Sequence, residues 1–377
     1  MDGSYRIGRI FGIPILIHYT FILVIPLFAW IIGSEIKNNI DAITSIFAVP
    51  IDTTLVTSGL IPYLVGAIVA LGLFAGVLVH ELAHSIVARR KGIKINSITL
   101  MIFGGIASMD EGVPDPKAEL PMALVGPLTS LLVGLVLVAI MYAIPVFIST
   151  AASAGVLIFI FGYLGLLNII LFAFNLLPAF PMDGGRVLRA WLAKRMPLHR
   201  ATKIAADIGK GFAIVFGIIG FFFFNPFLIL IALFIYIGAS SESTAVKYSF
   251  LLQNVTVGDM MSSPVTTVAP TLPVSQVITM MYSSKHLGFP VVDRDVLIGM
   301  VTLADVNRMQ SIDREAMQVR DIMTKDPVTL PPNAPVMEAL KIMSARNFGR
   351  IPVVQDGRIL GIVTRTDIIK VTELKQI

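Results

Sequence analysis

Residues 61–90 read Ile61-Pro-Tyr-Leu-Val-Gly-Ala-Ile-Val-Ala-Leu-Gly-Leu-Phe-Ala-Gly-Val-Leu-Val79, then His80-Glu81-Leu82-Ala83-His84, then Ser-Ile-Val-Ala-Arg89-Arg90. The first nineteen carry no charge, long enough for a helix to enter the hydrocarbon of a bilayer. Two imidazoles four residues apart fall on one helix face, with a carboxylate beside them. That spacing suits a zinc ion and a base for hydrolysis. Ionisable groups at membrane depth are costly and mark functional sites by default. From His84 to Arg89 is about 7.5 Å of helix, and from His80 about 13.5 Å, so a metal here lies inside the hydrocarbon near the basic end.

The rest of the chain agrees with a membrane origin for this segment. Only 14% of the 377 residues are charged and 55% are hydrophobic, whereas soluble proteins average about 25% charged. The deficit is uneven: residues 1–250 hold 16 Lys/Arg and 12 Asp/Glu, and residues 251–377 hold 13 and 12. The tail therefore has soluble composition. The net charge of +5 includes no basic tract of the kind that binds nucleic acid. Cysteine is absent, so a metal site must draw on His, Asp or Glu.

Six spans are expected, at about 10–32, 61–88, 120–147, 153–177, 204–224 and 226–242, the last two divided at Asn225-Pro226. The first follows Arg6 and Arg9 like a signal peptide, but no small-residue cleavage site follows it, and it reads as a retained helix. Arg89, Arg90, Lys91, Lys94 and the cluster from Arg186 to Lys203 then share a side with Arg6 and Arg9, while loop 33–60 holds only Lys37. The positive-inside rule puts both termini in the cytoplasm. Five spans, with the tail outside, is the disfavoured alternative. Residues 93–109, with Ile93, Ile95, Ile98 and Leu100 leading into Phe103-Gly104-Gly105, suit a short sheet or re-entrant loop beside the motif rather than a span. An ordinary cytoplasmic hairpin is the plainer possibility.

The tail repeats itself. Val257-Gly-Asp-Met-Met261 returns as Val319-Arg-Asp-Ile-Met323, Phe289-Pro-Val-Val292 as Ile351-Pro-Val-Val354, Gly299-Met-Val-Thr302 as Gly361-Ile-Val-Thr364, and Asp305 as Asp367, always 62 residues on. Each unit reads helix, two strands with a polar turn, then a helix opening at the Thr. These units resemble a tandem pair of CBS motifs, over 254–312 and 315–374. That resemblance implies clefts for adenine nucleotides (ATP, ADP or AMP), with Thr302 and Thr364 near phosphate and Asp305 and Asp367 accepting from ribose hydroxyls. A Thr followed by Asp three residues on also caps a helix without any ligand.

A catalytic zinc needs a third protein ligand. His18, His199 and His286 are the other histidines, and one acid stands out in Asn175-Leu-Leu-Pro178-Ala-Phe-Pro181-Met-Asp183-Gly184-Gly185-Arg186. Prolines break the helix there and glycines permit an irregular turn. Asp183 is a candidate ligand, or an N-cap for a helix starting near Gly185. His18 reads as a buried, satisfied histidine, and Asn168 as a helix-packing residue. His80-Glu-Leu-Ala-His84 with Asn175 and Pro181-Met-Asp183-Gly184, together with Gly104-Gly105 and Gly126-Pro127, resembles the site-2 protease family of intramembrane zinc metalloproteases. Val125 departs from the small Ala many members carry before Gly-Pro, and no inserted PDZ-type domain is visible.

That resemblance, over residues 1–245, implies zinc held by His80, His84 and Asp183, Glu81 as the base acting on metal-bound water, and Asn175 near the reacting carbonyl. The expected whole is a polytopic α-helical membrane protein with a short strand region, joined to a soluble α/β CBS module. It would cut transmembrane segments of membrane-anchored protein substrates, sit in the cell membrane, and bind no nucleic acid. A homodimer through the CBS module is a further expectation. The rival is a CBS-gated transporter or channel, which predicts repeated halves or a polar line through the spans; neither is visible. An inactive scaffold is opposed by the intact His80, Glu81, His84 and Asp183.

Overall fold

The computed structural model describes residues 3–102, 104–109, 116–308 and 315–374. Phe103 and the junction between the two tail repeats at 309–314 lie outside the described residues. The chain forms two compact units, Met1–Val246 and Lys247–Ile377.

The first unit opens with a hairpin, not a helix. Strands β1 (Ser4–Ile10) and β2 (Ile13–His18) pair antiparallel and meet at Ile10↔Ile13. The two residues between them, Phe11 and Gly12, both have positive φ (51° and 79°), the demand of a tight hairpin turn whose twist matches the strands. The expected helix over 10–32 thus begins only at α1 (Phe21–Ser34). The apolar run at 13–17 is β-branched at every other position, and Ile13 and Ile15 point into the core. Helix α2 (Ile36–Phe47) follows at a 71° bend, and the short α3 (Thr53–Val56) is capped by Asp52.

Helix α4 (Ile61–Arg90) carries the His-Glu-Leu-Ala-His motif in its last third. Strands β3 (Ile95–Met101) and β4 (Gly104–Met109) then pair antiparallel as a short sheet, one of the two forms expected beside the motif, and β3 joins β2 in parallel, giving the order β1-β2-β3-β4. This sheet packs on α4 through Ile13, Ile15, Ile98 and Leu82, so it lies against the motif. Four further long helices follow the sheet: α5 (Pro116–Phe147), α6 (Ala151–Asn175), α8 (Leu198–Phe222) and α9 (Pro226–Leu251), with the short α7 (Asp183–Leu192) between α6 and α8. Five described helices are long and apolar enough to cross a membrane, or six if α1 and α2 count as one bent span. The break at Asn225-Pro226 falls where the sequence expects it, but α9 continues well past 242. Glycines let the helices close: a side chain at Gly66 would strike the Ala29 carbonyl, and one at Gly76 the Asn168 amide. Asn168, 1% exposed, donates to Leu164 O within its own helix, rather than to another helix as the packing reading expects.

The second unit shows the repeat as structure. It contains α10 (Val257–Met260), α11 (Val274–Ser284), β5 (Gly288–Asp293), β6 (Val296–Thr302) and α12 (Leu303–Asn307). Next come α13 (Val319–Ile322), β7 (Thr324–Lys325), α14 (Val336–Ala345), β8 (Arg350–Gln355), β9 (Arg358–Thr364) and α15 (Arg365–Leu374). The sheet order is β5-β6-β9-β8, with β7 on β6. Both hairpins carry the same irregularity, at Val291/Val292 and Val353/Val354. Each half has its own core, around Val277, Phe289 and Val301 or around Ala339, Ile351 and Val363.

Candidate metal centre

Because α4 is helical through 80–84, both imidazoles face the same way, and both are buried. Their Nε2 atoms lie 3.1 Å apart, and Asp183 Oδ2 lies 3.2 Å from His80 Nε2 and 3.1 Å from His84 Nε2. Among the described residues this is the group of His and acid side chains close enough to share a metal ion. The other ring nitrogens are committed. His84 Nδ1 lies 2.6 Å from Met122 O; a carbonyl only accepts, so that nitrogen bears a proton. His80 Nδ1 lies 2.9 Å from Ser130 Oγ. These are the outer partners that fix the tautomer and ring orientation of metal-binding histidines.

This donor set fits zinc. Two nitrogens and a carboxylate oxygen form a nearly equilateral triangle of 3.1–3.2 Å edges. Bonds of about 2.0–2.1 Å in tetrahedral geometry separate ligands by about 3.3–3.4 Å. The triangle also leaves a fourth position free of protein ligands, as hydrolytic zinc requires.

Helix α5 makes the site possible by coming close. A Cβ at Gly126 would collide with His84 Nε2 and lie 2.7 Å from His80 Nε2, so glycine is required there by approach rather than by backbone conformation. Asp183 is the first residue of α7, after Met182 as N-cap, so the helix starts two residues earlier than Gly185. Gly184 and Gly185 pack onto the backbone at 176–177 and 179–180, which leaves no room for side chains and seats the start of α7 on that turn. Glu81 faces the sheet: a Cβ at Gly105 would come within 2.6 Å of its Cγ. The β4 backbone therefore runs directly beside this carboxylate.

Asn175 ends α6, and its Nδ2 donates to Leu171 O at 2.9 Å, so the amide is turned onto its own helix. His18 is half-buried; its Nδ1 lies 2.9 Å from Thr20 Oγ1 and its ring lies 4.2 Å from that of Tyr19, tilted by 38°. In the tail, Thr302 donates N–H and O–H to Asp305 Oδ2 at 2.9 and 2.6 Å, and Thr364 does the same to Asp367 at 3.0 and 2.7 Å. Both pairs are thus engaged as helix caps, and Asp305 Oδ1 also lies 4.0 Å from Arg308 Nη1. Ser130 and the Met122 carbonyl were not anticipated from the sequence. A serine one turn after Gly126 was the available signal for the first; a backbone carbonyl has none.

The sequence profile of peptidase family M50 matches residues 68–150 and 140–216, and the CBS domain profile matches 257–311 and 319–373. A zinc metalloprotease of Methanocaldococcus jannaschii is 36% identical over 379 residues, covering 100% of this chain and 99% of that one. The solved site-2 protease of the same organism is 40% identical, covering 64% of this chain and 95% of that one, with a TM-score of 0.43.

Proposed function

Because this chain belongs to peptidase family M50, the site-2 protease family, we propose that His80, His84 and Asp183 hold its catalytic zinc and that Glu81 is its base. The chain is a membrane protein and a zinc metalloprotease with a tandem CBS pair, and it carries out proteolysis within the membrane. The observation that carries the residue assignment is the 3.1–3.2 Å triangle of facing donor atoms, with each imidazole held from behind.

Bound zinc supplies Lewis acidity, lowering the pKa of a coordinated water to about 7 and polarising the scissile carbonyl. The residues of the chain do the rest. Glu81, next in sequence to His80, takes the proton of the attacking water and delivers it to the leaving amine. Asn175 donates to the carbonyl oxygen as it gains charge, which requires its amide to turn from Leu171 O. Met122 and Ser130 keep both Nε2 atoms directed at the centre.

A transmembrane substrate presents a helix whose carbonyls are already bonded, so it must open first. Strand β4 is an edge of its sheet and passes Glu81; an opened segment adds to it as a further strand. The division of labour follows as residues 1–245 for proteolysis and 254–312 with 315–374 for regulation. Both termini lie in the cytoplasm, on the side of Arg89 and Arg90. Adenine nucleotide binds at Thr302 and Asp305, or at Thr364 and Asp367. A second copy of the chain pairs through this module.

The test is to purify the chain, measure bound zinc, and follow cleavage of membrane-anchored candidates with Glu81→Gln as control. The expected result is full zinc content and lost cleavage; equal cleavage by both proteins refutes the role of Glu81.

A further inference from the structure

One group of buried charges in the membrane unit has no part in the chemistry just described. Arg189, in the last turn of α7, is 3% exposed. Its Nε donates to both carboxylate oxygens of Glu119, at 2.9 and 3.2 Å, and its Nη2 donates to Glu119 as well. Its Nη1 donates to Glu242 Oε1 at 2.5 Å, and its Cζ stands 5.0 Å over the Phe180 ring. Glu119 is 8% exposed. One guanidinium thus joins α5, α7 and α9, with a ring from the turn before α7 covering its face.

Stability is a poor explanation for such a group. Buried ion pairs cost much desolvation, and well-packed apolar side chains in their place are often as stable or more so. Their best-attested use is to fix one register among several. Here the register that matters is near. Asp183 opens α7 six residues before Arg189, about 9 Å along the axis. Glu119 precedes Met122 by three residues on α5, and Met122 O receives the His84 N–H. The two-oxygen grip of Arg189 on Glu119 therefore locks the helix that brings the carboxylate to the helix that anchors the imidazole. Glu242 adds α9 to the same lock. A planar fork can hold two carboxylates at fixed angles in this way; a lysine ammonium cannot.

We infer that Arg189 is a positioning residue, which through Glu119 and Glu242 sets Asp183 at its distance from the two histidines. The inference rests on the zinc reading of the site. It is tested on the full chain in detergent with cobalt(II) replacing zinc, by measuring affinity and the visible absorption bands that report coordination geometry. The variant pairs Arg189→Gln with Glu119→Gln, so that the buried carboxylate of Glu119 is not left bare, while the carboxylate of Glu242, about a third exposed, keeps access to solvent. The expected result is affinity lowered about ten- to hundredfold, the range for outer partners of metal ligands, with altered bands and unchanged helix content. Should that variant not fold, Arg189→Lys carries the test, with a severalfold loss and altered bands expected. Wild-type affinity and an unaltered spectrum in the folded variant overturn the inference. A wild-type chain that takes up no cobalt overturns the zinc reading, and this inference with it.

Discussion

Asp183 and Asp305 both stand in the first turn of a short helix, and they are used in opposite ways. Asp305 Oδ2 takes the N–H and O–H of Thr302, three residues before it, and closes a capping box with its own helix. Asp183 Oδ2 turns toward imidazoles 99 and 103 residues upstream. The membrane unit directs its carboxylate at two distant imidazoles, while the tail satisfies the same group locally. The difference teaches how to read a polar residue. In the tail, where water and local caps are at hand, a Thr-x-x-Asp motif is explained without a ligand. In an apolar helix bundle, a carboxylate facing two imidazoles has no such local explanation, and the three side chains are close enough to share a metal ion.

The strongest way to break this contrast is to fill the space at Gly126. Gly126→Ala places a methyl group against both Nε2 atoms at once. Because the obstruction is backbone-borne and lies between two fixed helices, we expect zinc content to fall below a tenth of wild type and cleavage to disappear, while helix content is retained. Metal analysis of the purified variant checks this. Normal zinc stoichiometry would mean that the helices yield at this point and that the triangle is not held by packing.

A smaller change sharpens it. Ser130→Ala leaves the ligands in place but removes the partner of His80 Nδ1. The expected loss of zinc affinity is about tenfold, at the low end for outer partners, read by competition with a chelator. Ser130→Thr, which keeps the hydroxyl, should recover most of it. An alanine variant that binds as tightly as wild type would show that Met122 and packing suffice to orient the rings.

How much of this was legible beforehand follows the same division between local and distant causes. The His80-to-His84 spacing is a periodicity within one helix, and the repeat at 62 residues is a pattern within the tail; both survive in the structure as read. Asp183 was legible as a candidate because prolines and glycines around it signal a break in an apolar region. Residues 10–18 of the first hairpin read as the start of a helix since hydropathy over a long window cannot separate a β-branched strand from a span. The hairpin's evidence lay in two residues, Phe11 and Gly12, whose positive φ closes the turn. Ser130, the Met122 carbonyl and the tie of Arg189 to Glu119 arise from helices packed at distances that no local pattern encodes.

The smallest effect tests the other side of the contrast. Thr302→Val and Thr364→Val each remove a hydroxyl that donates to an aspartate and caps a helix. Loss of such a cap costs about 1 kcal/mol, or a lowering of the tail's unfolding temperature by about 4 °C, measured by calorimetry on the full chain. If the caps are the whole role, the two variants lose similar stability and any temperature shift produced by AMP is unchanged. If a nucleotide uses these motifs as well, the variant in the occupied cleft loses the AMP shift in addition to the few degrees, and its counterpart keeps it. Unequal losses of stability without any AMP shift in wild type would leave the tail with caps alone, since a ligand that binds only the folded state must raise its melting temperature.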